Sequence, residues 1–563
     1  MKILGISKDI NDSACLLVDG KVVAMAAEER FTRIKGGGNT LPFSAAKYVL
    51  KEGGLSLDEI DYITLSWDLN KYPEYMKRFW KNSGYYNKKT NIDKFVDKIH
   101  SVEFNPEFVK FQLKIGFAKM GFNKLPKIKF INHHYSHACS TYYPSGFSEA
   151  VIIVIDGSGE ENATTIWKGV GDEIVKLKEI NLPHSLGWFY SAVTEFLGFR
   201  AYTGEGKVMG LAPYGEENFE IREKLKKILK KTDEGYEVNP EYIYFGKRTK
   251  SNKFTKLFTD NFGEPKKKNE DYSKLHKDLA YEAQKLLEEV VSELVRSAVR
   301  YTKIRNVCIS GGVGMNCKMN GKIGALNEVD EIYIFPASSD DGSSLGSALS
   351  IEKKRINLPN VYLGPKFSNE EIKKVLDLCK LKYTYHENIE EVTAKKIADN
   401  NIVGWFQGRM ELGARALGNR SILANPLNPE MKDVLNRKVK HRESFRPFCP
   451  SILFEEKDKY LKNAKYAPYM ILAYEAKELI GRKYPSVVHV DNTVRPQTVR
   501  EEDNPRYYKL IKNFKELTGE GIILNTSFNI AGEPIVCTPE EAIRCFFGTG
   551  IDYLIVGNFL LEK

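Results

Sequence analysis

The feature that most constrains the fold is a unit of three strands and two turns that occurs twice. One copy occupies residues 2–27 and the other residues 150–180, and in each an aspartate and small polar residues fill the first turn. A repeated supersecondary unit predicts an internally duplicated domain, although two similar β-meanders also arise by chance. The predicted strands are Lys2–Ser7, Ala14–Val18, Lys21–Ala27, Ala150–Ile155, Ala163–Lys168 and Glu173–Ile180.

The rest of the sequence predicts an α/β protein of two domains. Apolar residues recur at intervals of three and four over Leu275–Tyr301, which indicates a long helix. A strand at Val307–Ser310 is followed by a glycine turn and a further helix, an order typical of α/β folds. Prolines and glycines punctuate a short linker over residues 357–365. We therefore expect an N-terminal domain at residues 1–356 and a C-terminal domain at residues 357–563.

Composition excludes several classes of protein. Hydrophobic residues make up 42% and charged residues 28% of the chain, a balance typical of a folded protein and not of a disordered one. No apolar run approaches the roughly 18 residues that cross a bilayer, and the first residues lack the pattern of a secretory signal. Eight cysteines without a CxxC pair favour reduced thiols and a cytoplasmic location. The net charge of +10 is mild for this length and is compatible with phosphate-bearing ligands or nucleic acid.

The motif NHHYSHA is the sharpest local signal. Its residues His133 and His137 are four apart, so on a helix both imidazoles lie on one face, a spacing that suits two ligands of one metal ion. The residue after His133 is not Glu, which excludes the HExxH pattern of a metallopeptidase. Further ligands would be carboxylates, and Asp156 together with Asp340 or Asp341 is the best placed. A mixed His/Asp set suits Fe(II), Mn(II) or Zn(II). Buried or helix-capping histidines are the alternative interpretation.

Two glycine-rich segments indicate ligand-facing loops. Residues 310–316 follow a strand and precede a helix, so the backbone can approach an anion closely, although the GxxxxGK[ST] pattern is absent. The serine- and aspartate-rich residues 338–343 lie one strand later and strengthen this interpretation. Residues 204–215, GEGKVMGLAPYG, indicate a substrate-facing loop, with an irregular connection as the alternative.

A dense group of basic residues lies in the C-terminal part, within residues 409–446. Arginine forks bind phosphate or carboxylate through two hydrogen bonds, and the interleaved glycines and aromatic residues favour an anion pocket. A nucleic-acid surface or a solvated helix is the alternative. Residues 525–529, NTSFN, come after the predicted strand Gly521–Leu524 and offer polar groups to a small planar group or a phosphate. The basic residues are Arg409, Arg415, Arg420, Arg437, Lys438, Lys440, Arg442 and Arg446.

Eight motifs, in order, resemble those of the NodU/CmcH carbamoyltransferase family over essentially the whole chain. The motifs are HHYSHA, VIDGSGE, GEGKVMGLAPYG, SGGVGMN, SSDDGSSLG, ELGARALGNRSIL, ESFRPF and NTSFN. The resemblance implies an N-terminal domain like that of the actin/Hsp70/sugar-kinase superfamily, in agreement with the duplication, and a YrdC-like C-terminal domain. It also implies that the C-terminal site joins carbamoyl phosphate to ATP as carbamoyl-adenylate, and that the N-terminal site passes the carbamoyl group to a substrate hydroxyl.

The resemblance further implies roles for individual residues. A divalent metal in the N-terminal domain, Fe(II) in preference to Mn(II) or Zn(II), would hold the adenylate phosphate or polarise the carbamoyl carbonyl. Mg²⁺ would accompany ATP in the second site. The implied metal ligands are His133, His137, Asp156 and Asp340. The implied nucleotide contacts are Lys35, Gly312 and Asn316, the implied carbamoyl-phosphate pocket is Arg415, Arg446, Arg495, Asn525 and Ser527, and Gly187 is an implied acceptor contact.

One position departs from the pattern of the family. Members often carry His-Asp in the first turn, near the acceptor hydroxyl, whereas this chain has Asn11 and Asp12. Asparagine is not a general base at neutral pH. Either Asp9 or Asp12 takes the proton, or the acceptor is already acidic, or the chemistry at the acceptor site differs. The candidate catalytic residues are therefore Asp9, Asn11 and Asp12.

Three functions fit the sequence. The first is an O-carbamoyltransferase that uses ATP and carbamoyl phosphate, with a hydroxyl-bearing small molecule or sugar as acceptor. The second is threonylcarbamoyl transfer to tRNA, which would need bicarbonate and threonine and a steep salt dependence of RNA binding. The order of the domains and the ELGARALGNRS motif favour the first. The third is a non-catalytic nucleotide-binding protein. No membrane partner is expected, nucleic acid is not favoured, and the sequence leaves the acceptor and the oligomeric state open.

Overall fold

A computed structural model describes residues 1–8, 10–38, 40–82, 98–99, 101–122, 124–243, 253–478 and 480–563. These residues group into two units. The first unit is Met1–Glu28 with Gly36–Asn357, and the second is Glu29–Lys35 with Leu358–Lys563. The domain limits predicted from the sequence remain a prediction. The contacts depart from these predicted limits in one short segment. Glu29–Lys35 precedes most of the first unit along the chain, but its contacts place it in the second unit.

The secondary structure alternates strands and helices throughout. The strands are β1 (Lys2–Ser7), β2 (Ser13–Val18), β3 (Lys21–Ala27), β4 (Tyr62–Leu65), β5 (Lys127–Phe130), β6 (Glu149–Gly159), β7 (Asn162–Val170), β8 (Glu173–Asn181), β9 (Leu229–Thr232), β10 (Gly235–Val238), β11 (Asn306–Ser310), β12 (Glu331–Ile334), β13 (Thr384–Tyr385), β14 (Val403–Phe406), β15 (Arg420–Ala424), β16 (Cys449–Leu453), β17 (Tyr474–Glu475), β18 (Thr493–Val494), β19 (Gln497–Val499), β20 (Ile522–Ser527), β21 (Tyr553–Val556) and β22 (Phe559–Glu562). The α-helices are α1 (Glu29–Thr32), α2 (Phe43–Glu52), α3 (Tyr72–Asn82), α4 (Pro106–Lys119), α5 (His133–Tyr142), α6 (Leu186–Phe196), α7 (Glu205–Leu211), α8 (Phe219–Lys226), α9 (Lys256–Phe262), α10 (Lys274–Thr302), α11 (Cys317–Gly324), α12 (Ser343–Glu352), α13 (Asn369–Leu378), α14 (Ile389–Ala398), α15 (Met431–Leu435), α16 (Lys457–Tyr460), α17 (Ile480–Lys483), α18 (Pro505–Thr518) and α19 (Pro539–Phe547). Short 3₁₀ turns lie at Leu57–Glu59, Ala212–Tyr214, Gly312–Met315, Asp340–Gly342 and Phe454–Glu456, and a π-turn at Asn436–Lys440.

The first unit contains two five-stranded sheets with the same strand order. One sheet runs β3-β2-β1-β4-β5 and the other β8-β7-β6-β11-β12. In each, the first three strands form an antiparallel meander, and the two remaining strands lie parallel to the central one. The duplicated α/β architecture that the sequence predicts is therefore confirmed.

Glycines bring helix α12 close to the strands and to helix α5. A Cβ added to Gly5 in β1 would lie 2.0 Å from the carbonyl oxygen of Ser344, and one added to Gly346 would lie 1.7 Å from that of Ser136. Neither gap leaves room for a methyl group, so both positions need glycine. Serines fill much of the contact: the hydroxyl oxygen of Ser343 lies 3.0 Å from Ser7 Oγ and 2.8 Å from Ser66 Oγ, within hydrogen-bond distance of both.

The second unit is built on an eight-stranded mixed sheet, in the order β13-β22-β21-β14-β15-β20-β16-β19. Successive residues of a strand point to opposite faces, and the apolar side chains follow this rule. Ile422 and Leu524 belong to one buried cluster, whereas Leu423 and Ile523 belong to another. Both faces of the sheet are thus apolar and covered, as in other α/β domains.

The sequence predictions of individual elements agree with the structure in most cases. The long helix and the helix after the glycine turn are confirmed. The strand predicted at Gly521–Leu524 is wrong at its end, because β20 extends to Ser527 and includes the first three residues of the NTSFN motif. Polar side chains fit there because Asn525 pairs with both neighbouring strands. All eight cysteines are free thiols, as predicted. Within the described ranges, no helix has the length and apolarity needed to traverse a bilayer.

Candidate functional site: a metal centre and an anion pocket

Two histidines and two aspartates converge in the first unit. Helix α5 presents His133 and His137 one turn apart, and their Nε2 atoms lie 3.2 Å from each other. Asp156 Oδ2 lies 3.3 Å from His137 Nε2, and Asp340 Oδ1 lies 3.5 Å from the Nε2 atoms of both histidines. One potential ligand atom from each of these four residues lies within 4.8 Å of every other. The sequence therefore predicts the convergence of these residues correctly, and Asp341 is not among them.

The hydrogen bonds around the two histidines aim their Nε2 atoms at the cluster. His133 Nδ1 lies 3.0 Å from the carbonyl oxygen of Ser66, which only accepts, so Nδ1 carries the proton. His137 Nδ1 lies 3.2 Å from Ser310 Oγ, which itself donates to the carbonyl oxygen of Ser338 and is free to accept. In the neutral tautomer both Nε2 lone pairs then point toward the same space. Such outer hydrogen bonds are the usual support of metal-binding histidines.

The electrostatics of the cluster call for a cation. Asp156 Oδ2 is buried and lies 3.7 Å from His133 Nε2 and 3.3 Å from His137 Nε2, while Asp156 Oδ1 accepts a hydrogen bond from the N–H of Gly157. Burial alone would lower the pKa of His133, but hydrogen bonds to Asp156 and Asp340 outweigh it and raise this pKa well above its usual range. Two carboxylates thus hold protons on the imidazoles when no metal is bound. A divalent cation with nitrogen and oxygen ligands fits the same four atoms, and this donor set accepts Fe(II), Mn(II) and Zn(II) alike.

A buried glutamate that the sequence did not single out holds the start of helix α5. The carboxylate of Glu160 accepts hydrogen bonds from the N–H groups of Asp68 and His133 and from the side-chain amide of Asn132. Burial raises the pKa of Glu160 to about 7. The contact joins the β6–β7 turn to a helix that precedes it in the chain. No local pattern signals such a contact, although Glu160 belongs to the VIDGSGE motif.

The glycine loop after β11 packs against the metal ligands. A Cβ on Gly312 would lie 3.2 Å from Asp156 Oδ1, and a Cβ on Gly187 would lie 2.7 Å from the backbone nitrogen of Gly157. Asn316 caps helix α11, and its amide is engaged with Gln284 at 2.8 and 3.0 Å. Gly187, Gly312 and Asn316 therefore border the metal centre or shape the loop beside it.

The first turn shows what two of its three candidate catalytic residues contact. Asp9 lies outside the described residues. The amide of Asn11 donates a 3.2 Å hydrogen bond to Ser339 Oγ, in the loop that carries Asp340. Asp12 is 1% exposed, and its carboxylate accepts hydrogen bonds from the backbone N–H groups of Thr40 and Gly38. Asp12 thus holds the following loop in place.

A second constellation, of cations, lies in the second unit. Burial, together with the neighbouring Arg30, Arg446 and Arg415, lowers the pKa of Lys35 although Glu29 opposes the change. Burial, and then Arg446, lowers the pKa of Arg442 to about 9. Burial, with Arg495 close by, likewise lowers the pKa of Arg446, although Glu443 at 3.6 Å opposes the change. The predicted residues Lys35, Arg415, Arg446 and Arg495 are thus brought together, and their mutual repulsion favours a bound anion. We name this group, with Lys440 and Arg442, the anion pocket.

Lys440 lies beside these cations, and Asn525 contacts the residue that follows Arg415. The ammonium of Lys440 donates to Asn529 Oδ1 at 2.9 Å and to the carbonyl oxygens of Ser527 and Asn529. Burial is the largest of the causes that lower the pKa of Lys440 well below its usual range. The amide of Asn525 donates to the carbonyl oxygen of Ala416, next to Arg415, while Asn525 Oδ1 is buried with no hydrogen-bond partner among the described residues. Lys440 and Arg442 belong to the predicted basic group but were not predicted as site residues.

Other members of the basic group have structural roles. Arg420 is fully buried, stacks 3.7 Å above the ring of Phe406 and donates to the carbonyl oxygens of Pro365 and Gln407. Arg409 donates to the carbonyl oxygens of Leu363 and Gly364. Arg437 is exposed. The arginines of this group therefore have three different roles: some line the anion pocket, some bind backbone carbonyl oxygens, and one is exposed. Their spacing in the sequence does not indicate which arginine has which role.

Comparison with known proteins gives matches over most of the chain. Residues 2–349 match the family model described as Carbamoyltransferase N-terminus, and residues 394–563 match that described as Carbamoyltransferase C-terminus. An uncharacterized protein of Synechocystis is 39% identical, covering 100% of this chain and 96% of its own length. Nodulation protein NolNO of Sinorhizobium fredii is 32% identical over 98% of this chain and 79% of its own length. A 3'-hydroxymethylcephem-O-carbamoyltransferase of Amycolatopsis lactamdurans is 32% identical over 45% of this chain and 48% of its own.

Proposed function

Because the chain belongs to the carbamoyltransferase family, we propose that it is an ATP-dependent O-carbamoyltransferase with two successive sites. In the anion pocket, carbamoyl phosphate, ATP and one water would give carbamoyl-adenylate, phosphate and pyrophosphate. At the site in the first unit, the carbamoyl group would pass to a hydroxyl of a small molecule or sugar, with release of AMP. The relative named as an O-carbamoyltransferase supports the second step.

The observation that carries the first step is the grouping of buried cations in the anion pocket. Carbamoyl phosphate and the triphosphate of ATP are polyanions, and arginine forks such as those of Arg415, Arg446 and Arg495 suit them. The carbamoyl group also has an NH₂ that needs an acceptor, and Asn525 Oδ1, which has no hydrogen-bond partner among the described residues, would supply one. The pocket chemistry thus supports carbamoyl phosphate together with a nucleotide, and Mg²⁺ would accompany ATP there.

Lys440 would orient the reacting groups beside the arginines of the anion pocket. Its ammonium already holds the backbone and side chain of Asn529 and the carbonyl oxygen of Ser527, so Ser527 Oγ is fixed at the edge of the pocket. A buried, preorganised donor network costs no reorganisation when negative charge develops on phosphate oxygens. Because the three donors of Lys440 are already used, we assign Lys440 to the positioning of Ser527 and Asn529, Ser527 to the binding of carbamoyl phosphate, and Lys35 to the nucleotide.

The four-residue metal group would hold the divalent cation of the transfer step. A metal bound there would act as a Lewis acid toward a phosphate or carbamoyl oxygen. The chain's own residues orient its ligands: Ser66 and Ser310 fix the histidine tautomers, and Glu160 holds the start of their helix. The glycine loop beside Asp156 would receive the adenosine. Since Asp12 is used in backbone hydrogen bonds, we propose that Asp12 does not take the acceptor proton.

Pyrophosphate release from ATP tests the proposal. We expect release that depends on carbamoyl phosphate in the wild-type protein, and a loss of at least about 100-fold in Arg446→Ala, because a desolvated cation is removed from the developing charge. Arg437→Ala is the matched control, since it removes an equal charge from the same group at an exposed position. Absence of carbamoyl-phosphate-dependent release in the wild type would overturn the proposed first step. Equal losses in both variants would show that net charge, and not the pocket, matters.

A further inference from the structure

Ser310 occupies the point where the metal group meets the glycine loop. It is the last residue of β11, is fully buried, and precedes the first glycine of the loop. Its hydroxyl accepts from His137 Nδ1 at 3.2 Å and donates to the carbonyl oxygen of Ser338 at 3.4 Å. One side of this hydroxyl therefore faces a metal ligand, and the other faces the segment that leads to a second ligand, Asp340.

The loop is fastened to that same segment on both sides of Gly311. The N–H of Gly311 donates to the carbonyl oxygen of Ser338 at 2.9 Å, and the hydroxyl of Ser338 donates back to the carbonyl oxygen of Gly311 at 3.2 Å. Gly314 also abuts Ser338, because a Cβ there would lie 2.5 Å from Ser338 Oγ. The position of the loop is thus tied to the position of Ser338, and through Ser310 to the orientation of His137.

Both ends of this connection respond to a ligand. A metal ion fixes His137 Nε2 in direction, which fixes the acceptor geometry at Ser310 through the rigid imidazole ring. A nucleoside bound to the loop would fix the backbone at Gly311 and Gly312, and Gly312 lies next to Asp156, since a Cβ added to it would be 3.2 Å from Asp156 Oδ1. If one ligand orders His137 or the glycine loop, the second ligand loses less conformational entropy when it binds at the other. Such coupling changes both binding affinities by the same factor.

We propose that Ser310 is a positioning residue that couples the metal centre to the glycine loop, so that a divalent metal and an adenine nucleotide strengthen each other's binding. The inference rests on the assignment of metal and adenosine under the proposed function. It does not depend on carbamoyl chemistry.

The test measures Zn²⁺ affinity by competition with a chromogenic chelator, with and without saturating AMP. In the wild type we expect AMP to tighten Zn²⁺ binding at least about 5-fold. In Ser310→Ala we expect Zn²⁺ affinity without AMP to fall about 10–100-fold, because His137 loses its outer hydrogen bond, and the AMP effect to shrink toward none. Direct contact between phosphate and metal would survive in this variant, so a full wild-type AMP effect in Ser310→Ala overturns the proposal.

Thr165→Ala is the matched control. The Thr165 hydroxyl lies 2.9 Å from His134 Nδ1, and both residues are fully buried. His134 belongs to helix α5, as His137 does, but it is not part of the metal group. This variant removes the same kind of bond and should leave Zn²⁺ affinity and the AMP effect within about 3-fold of wild type. Equal losses in both variants would make the effect general to the helix and overturn the proposal.

A second variant tests the other half of the connection and stands even if Ser310→Ala does not fold. Ser338→Ala cuts the bond to Gly311 without touching His137, so we expect unchanged Zn²⁺ affinity and a weakened AMP effect. An unaltered AMP effect there overturns the coupling. Failure of the wild type to bind Zn²⁺ would instead refute the metal assignment of the proposed function. Failure to bind AMP would refute its nucleotide assignment, and the coupling with it.

Discussion

The Nε2 atoms of His133 and His137 face each other at 3.2 Å, and the Nδ1 atom of each already has a hydrogen-bond partner outside the cluster. Two imidazole lone pairs at this distance repel unless a proton or a metal lies between them and the carboxylates. The pair therefore links metal binding to proton release.

We expect metal binding to expel protons at pH 7. Asp156 and Asp340 overcome burial and raise the pKa of both histidines above the usual value, so the metal-free protein holds protons that a metal must displace. Because both pKa values lie above the usual 6.5, Zn²⁺ affinity should keep rising as the pH increases above 6.5. Calorimetry in buffers of different ionisation enthalpy measures the protons released. A pH-independent affinity would contradict the protonated metal-free state, and Asp340→Asn should reduce both the affinity and the proton release.

We expect Gly346→Ala to destabilise the first unit by about 1–3 kcal/mol, because the new methyl group would meet the carbonyl oxygen of Ser136 and push helix α12 away from helix α5. Metal affinity should fall as well, since α5 carries both histidines. Thermal unfolding and metal titration measure the two effects. Gly206→Ala is the control, because a Cβ there meets nothing within 4 Å. A stability of Gly346→Ala equal to that of the control would refute the close contact.

We expect Arg420→Ala and Arg415→Ala to fail in different ways. Removal of the Arg420 guanidinium takes the side-chain donor from the buried carbonyl oxygen of Gln407 and one of two donors from that of Pro365, and it removes the stacking on Phe406, so it should cost about 3 kcal/mol of unfolding free energy. Arg415 is half-buried in the anion pocket, so its loss should abolish pyrophosphate release while denaturant unfolding changes by less than about 1 kcal/mol. A stable but inactive Arg420→Ala protein would contradict the division of the basic group.

We expect the stability of the second unit to depend on Glu520 in acid. Tyr460 and the ammonium groups of Lys459 and Lys483 surround this carboxylate, and although burial opposes them they lower its pKa to about 2. A pKa lowered on folding adds stability that is present above the unfolded value near 4.5 and is lost as the pH falls toward 2. Glu520→Gln should therefore unfold more easily by about 1–2 kcal/mol at pH 7. The difference from wild type should shrink between pH 4.5 and pH 3 in urea titrations, and a constant difference would contradict this account.

Much of the first unit could be predicted from the sequence because its signals are local. In the sequence, alternating apolar segments and turns predict the three-strand unit. The spacing of four residues between His133 and His137 predicts that both lie on one face of a helix. That Asp156 and Asp340 join them could be inferred only as an expectation, since Asp156 lies in β6 and Asp340 lies in the 3₁₀ turn that follows β12, far apart in the chain.

The supporting contacts could not be predicted, because they join residues far apart in the chain. Nothing near Ser310 or Glu160 in the sequence indicates a partner on helix α5. The same limit applies to the basic group, where burial decides that Arg420 binds carbonyls and Arg446 faces other cations. The sequence marks Lys35 as a nucleotide contact, but its membership of the second unit comes from tertiary contacts alone.

The assignment of Glu29–Lys35 to the second unit has a consequence for the order of synthesis. Arg33 donates to the carbonyl oxygens of Pro534 and Ile535, which lie 501 and 502 residues further along the chain, and pairs with Glu541. During synthesis the segment therefore lacks these partners until residues 534–541 have been translated. A fragment that ends near the linker would contain the segment Glu29–Lys35 without the second unit that it packs against. A fragment that starts after the linker would lack Lys35, which belongs to the anion pocket.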